Sequence, residues 1–107
     1  PDAYFDRAKA RGLDDRLAAV YGMCENIDAN VGRLLDALDA AGRRDDTVVV
    51  FLTDNGPNGA RFNGGMRGVK GSDHEGGSRV PCFVRYPARW PAGRDVAPIA
   101  AHVDLLP

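Results

Sequence analysis

The chain has 107 residues, with 14 Lys and Arg against 15 Asp and Glu and a net charge of −1. Hydrophobic residues make up 44% and charged residues 27%, the balance of a globular chain and not of a disordered one. Near-neutrality removes the electrostatic case for a nucleic-acid or membrane-surface partner, and no apolar run approaches the roughly 20 residues that span a bilayer. The length fits one domain or a piece of one, able to bury roughly 65% of its unfolded surface. The chain opens Pro1-Asp2-Ala3, with neither an initiator Met nor a secretory signal, and is read as cut from something longer.

The first strong periodic signal is a long helix over about Asp14 to Ala41. Leu17, Val20, Tyr21, Cys24, Ile27, Val31, Leu34, Leu35, Leu38 and Ala41 recur in steps of three and four and draw one apolar stripe. Acids open the helix and Gly42 stands at the expected C-terminal stop. Gly22 and Gly32 lie inside it, each costing about 1 kcal/mol relative to Ala. Close packing against a neighbour would explain them.

The run Val48-Val49-Val50-Phe51-Leu52-Thr53 follows, continuous and β-branched, the pattern of a strand buried on both faces. Residues 54–79 show neither helical nor strand period and hold eight of the 13 glycines. Irregular segments longer than about 15 residues are often functional. Cys82 to Tyr86 reads as a second strand, expected to run parallel to the first across a long crossover. Pro87, Pro91 and Pro98 break the chain into a loop, and His102-Val103-Asp104-Leu105-Leu106-Pro107 reads as the first turn of a further helix. The fold class is α/β. Cys24 and Cys82 make no disulfide framework; they read as buried thiols, with a single bridge as the other option.

Asp54 and Asn55 stand at the carboxyl end of the first strand, where open α/β sheets bind ligands. A carboxylate beside an amide carbonyl offers hard oxygens suited to Ca²⁺ or Mg²⁺. The other reading is a tight turn, since Asn-Gly favours hairpins, although Pro57-Asn58-Gly59 does not continue as a strand. Lys70, inside Gly68-Val69-Lys70-Gly71-Ser72, is either an oxyanion partner approached closely by backbone or a solvated surface lysine. The spacing is not that of a phosphate-binding P-loop. His74 and His102 carry no assigned role, and Trp90 reads as a surface-packing aromatic.

Taken in order, Glu25-Asn26-Ile27-Asp28, Asn30-Val31-Gly32-Arg33-Leu34-Leu35, Thr53-Asp54-Asn55-Gly56-Pro57, Asn63-Gly64-Gly65-Met66-Arg67-Gly68-Val69-Lys70-Gly71, Glu75-Gly76-Gly77-Ser78-Arg79-Val80-Pro81 and the closing His102 to Pro107 resemble the sulfatase family, arylsulfatase type, of the alkaline-phosphatase-like superfamily. The resemblance implies part of a three-layer α/β fold and a parent enzyme that hydrolyses small-molecule or glycan sulfate esters. It implies Asp54 and Asn55 as calcium ligands, Lys70 as a sulfate contact, and Glu75 and Arg79 as structural. His74 departs from the aromatic common there. The family's formylglycine nucleophile arises from a Cys/Ser-x-Pro-x-Arg motif that neither Cys24 nor Cys82 begins. The chain is thus expected to be an internal, later part of the catalytic domain, inactive alone and prone to self-association. Alternatives are a phosphonate or phosphate monoester hydrolase of the same superfamily and a binding domain that kept the fold.

Overall fold

The computed structural model describes residues 2–105. In chain order it contains helix α1 (Asp2–Ala10), helix α2 (Asp15–Ala40), strand β1 (Val49–Leu52), a single turn α3 (Glu75–Ser78), strand β2 (Cys82–Arg85) and a 3₁₀ turn (His102–Leu105). The expected long helix is α2, and both its ends have a local cause. Asp14 is the N-cap, its carboxylate accepting the Leu17 N–H at 2.8 Å. At the other end Gly42 adopts φ 67°, and the N–H groups of Gly42 and Arg43 donate to the carbonyls of Asp39 and Leu38. That is a Schellman stop, which favours glycine because only glycine takes this conformation without strain.

Helix α1 precedes any periodic stretch long enough to declare itself. It packs on the first half of α2, where Gly22 matters: a Cβ there would lie 3.1 Å from Phe5 N and 3.2 Å from the Tyr4 carbonyl carbon. The missing side chain lets two backbones approach, as its position inside the stripe suggested. Gly32 has nothing within 4 Å, so the same reason does not extend to it. Ala8 and Ala18 fill the α1–α2 contact and are the buried hydrophobic residues of the described chain. Arg7–Glu25 and Lys9–Asp15, both at 2.8 Å, rim the contact as exposed pairs of small energetic weight.

The strands pair antiparallel, with Val49 opposite Arg85, Val50 opposite Val84, Phe51 opposite Phe83 and Leu52 opposite Cys82. This corrects the expected parallel arrangement. A parallel neighbour needs a crossover that carries the chain back along the strand. Here residues 53–81 contain only the four-residue α3, fold on themselves beyond β1, and re-enter opposite Leu52. Nor do the strands form a tight hairpin at Asn55-Gly56. The expectation of burial on both faces is corrected as well, since Val50, Phe83 and Val84 are 38%, 65% and 49% exposed. The Phe51 and Phe83 rings stack at 6.3 Å across the pair. Asp39 ties α2 to the sheet through Arg85 Nη2 at 2.9 Å, with Arg44 Nη1 at 3.8 Å.

Cys24 and Cys82 are free and exposed, which corrects their reading as buried thiols. The apolar stripe of α2 is only partly covered: Leu17, Val20, Val31, Leu35 and Leu38 are half-buried, whereas Ile27 and Leu34 are each at least half exposed. The radius of gyration is 16.4 Å, against about 13 Å for a compact chain of this length. Among the described residues no helix is long and apolar enough to cross a membrane. Of the closing motif, Leu106 and Pro107 lie outside the described residues.

Candidate functional site

Strand β1 delivers Asp54 and Asn55 to its carboxyl end. Asp54 Oδ1 accepts the Asn55 backbone N–H at 2.9 Å and its side-chain Nδ2 at 3.0 Å. This clamp turns the Asn55 amide nitrogen inward, toward Asp54 Oδ1 and Gly56 O. Asp54 Oδ2 and Asn55 Oδ1 accept no hydrogen bond among the described residues and remain available as a pair of oxygen donors.

The chain then folds into a backbone knot. Gly56 N donates to Gly77 O at 2.9 Å, Lys70 N to Pro57 O at 3.0 Å, and Gly76 N to Arg67 O at 2.7 Å. Asn63 Nδ2 donates to the carbonyls of Met66 and Gly68 at 2.8 and 3.1 Å. Three glycines are buried where these strings cross. A Cβ on Gly56 would overlap Gly76 O, one on Gly76 would overlap Gly68 O, and one on Gly77 would overlap Ser72 O. Glycine is required at these points because backbone meets backbone.

Lys70 is exposed and takes part in no ion pair among the described residues. Its backbone bond to Pro57 ties its segment to the one that begins at Asp54. Glu75 and Arg79 pair at 3.5 Å across α3, and Arg79 N donates to Glu75 O at 2.7 Å, a local brace for the end of the loop. His74 N-caps α3 by position, without a side-chain bond. His102 Nε2 lies 3.1 Å from Thr53 O, so the closing turn docks against the residue before Asp54. Trp90 meets the Tyr86 ring edge-on at 5.5 Å.

Two open concavities lie elsewhere. One of about 290 Å³ sits between Phe5, Gly22 and Met23. The other, about 460 Å³, sits between Arg85, Tyr86 and Trp90. Neither concavity is lined by Asp54, Asn55 or Lys70. Among the described residues no three His, Cys, Asp or Glu side chains gather as a metal cluster. Asp54 and Asn55 fit a hard cation in kind, and supply two of the 6–8 oxygens that Ca²⁺ takes.

One feature of the site was not legible in the sequence. Asn58 O accepts from Arg61 Nη1 at 3.0 Å and from Arg16 Nη2, on α2, at 3.4 Å. No local signal connects Arg16 to a carbonyl 42 positions away.

The profile of the Sulfatase family matches residues 2–107. Over 102 residues the chain is 42% identical to a steryl-sulfatase of Mus musculus, covering 85% of this chain and 16% of that protein. It is 37% identical to arylsulfatase A of Homo sapiens over 86 residues, 76% of this chain and 17% of that one. It is 35% identical to an N-acetylglucosamine-6-O-sulfatase of Bacteroides thetaiotaomicron over 97 residues, 89% of this chain and 16% of that one. No solved structure matches. The chain belongs to the sulfatase family and spans about one sixth of the length of these relatives.

Proposed function

We propose that these residues form the later part of the catalytic domain of a longer sulfuric ester hydrolase with the three-layer alkaline-phosphatase-like fold. The observation that carries the reading is the family match over residues 2–107, within which Lys70 N bonds to Pro57 O and brings the Lys70 segment alongside the one that starts at Asp54. Asp54 and Asn55 would hold Ca²⁺ through their free oxygens, with further ligands from outside these residues. Calcium, when bound, supplies a Lewis acid that neutralises charge on the ester's oxygens. Lys70 supplies a point charge for the same oxyanion. The Asp54–Asn55 clamp orients the donor oxygens, and the glycine knot keeps Lys70 from drifting. The formylglycine nucleophile would lie upstream. The relatives' names share the sulfate ester and differ in the alcohol, so the proposal extends to the ester alone.

The test uses the full-length protein with 4-nitrophenyl sulfate and 4-nitrophenyl phosphate. Faster turnover of the sulfate is expected. Asp54→Ala should lose bound calcium and slow turnover by about a hundredfold or more, and Lys70→Ala should lower kcat/KM by about tenfold or more. Normal calcium and turnover in Asp54→Ala would overturn the assignment. Preference for the phosphate ester would favour a phosphate monoester hydrolase, and no turnover of either a binding domain.

A further inference from the structure

Arg16 and Arg61 reach one carbonyl oxygen, Asn58 O, from two different elements. Gly59, at φ 86°, carries no Cβ where the Arg16 guanidinium lies. Each guanidinium carries five N–H donors, and one carbonyl uses few of them. Arg16 and Arg61, like Arg11, Arg33, Arg67, Arg89 and Arg94, have no carboxylate within 4.0 Å among the described residues; what sets the two apart is that they meet on one oxygen. Two permanent cations gathered on one oxygen repel each other, and an anion between them would reverse that repulsion. The adjoining carbonyl, Pro57 O, accepts the Lys70 N–H, so the pair adjoins the segment that carries Lys70.

We propose that Arg16 and Arg61 form an accessory oxyanion subsite that takes a second carboxylate or sulfate group of the substrate, so that the protein favours sulfate esters bearing another negative charge. The inference rests on the reading of Lys70 as the partner of the ester's sulfate. It adds a residue pair and a substrate preference to that reading.

The experiment measures equilibrium binding of benzenesulfonate, benzene-1,3-disulfonate and inorganic sulfate to the full-length protein and its variants. The disulfonate should bind about tenfold more tightly than the monosulfonate, the scale of one added charge-assisted contact. That ratio should fall toward one in Arg16→Gln and in Arg61→Gln and persist in Arg16→Lys, which keeps the charge. No preference in the unaltered protein, or a preference untouched by both Gln substitutions, overturns the proposal. So does an equal loss of all three probes, which would make the arginines loop supports. Sulfate binding weakened by the substitutions without any disulfonate preference would mark a site for free anions and also overturn it. Turnover of 4-nitrophenyl sulfate is followed in parallel. Its absence alongside a retained disulfonate preference would defeat the sulfatase reading and leave the subsite standing.

Discussion

Residues 54–79 hold their shape through backbone groups, whereas α2 and the two strands present side chains that touch little. In the first region the buried positions are Gly56, Gly76 and Gly77, and the partners are carbonyls and N–H groups a few residues to some twenty residues apart. In the second, Ala18 and Gly22 are buried while Ile27, Leu34 and Phe83 are 50%, 55% and 65% exposed. Most of the loop's hydrogen bonds close within its own segment. The scaffold carries apolar surface sized for neighbours that the described residues do not provide. The segment that holds the candidate site is therefore better specified locally than the elements that support it.

The largest effect should come from placing a methyl group in the knot. Gly76→Ala would put a Cβ against the carbonyls of Arg67 and Gly68 and against the Asn63 amide, a collision with backbone that cannot rotate away. Overpacking of this kind costs typically 1–3 kcal/mol. In the full-length protein the variant should lose several degrees of thermal midpoint and most of its ligand binding. A knot that tolerated the change would mean that the two regions do not differ in kind.

The bare scaffold gives the next effect. The 107-residue chain should associate as a dimer or higher assembly, because exposed apolar faces and open strand edges favour contact with another copy. Sedimentation across concentrations reads this directly, and a monomer at high concentration would break the contrast. The same isolated chain should not turn over an aryl sulfate.

The smallest effect separates two glycines of one helix. Gly32→Ala should stabilise the 107-residue chain by up to about 1 kcal/mol, since the added methyl meets open space and helix propensity improves. Gly22→Ala should forfeit that gain to contacts near 3.1 Å with the α1 backbone. Thermal midpoints of both variants check the pair. Equal stabilisation would show that α1 does not press on α2.

The span of α2, both its ends and the existence of two strands were legible because they rest on local rules: a 3.6-residue apolar period, an Asp N-cap, a Gly stop and β-branched runs. Gly22 was legible as a packing glycine. The direction of β2 was not. Strand polarity depends on where an irregular connection sends the chain, and residues 53–81 contain no period from which to read that path. The exposure of Cys24 and Cys82 escaped for a related reason, since a hydrophobic residue is buried only if something covers it.

What the sequence alone determined about this protein is its family, its main helix, its two strands and the residue types offered at the end of β1, because these follow from neighbours within a few positions or from an ordered set of motifs. Only the tertiary structure decided that the strands run antiparallel, that α1 sits against Gly22, and that Arg16 and Arg61 share Asn58 O. Each of those joins groups far apart in the chain, and their meeting is set by how the backbone returns on itself, which no local propensity encodes.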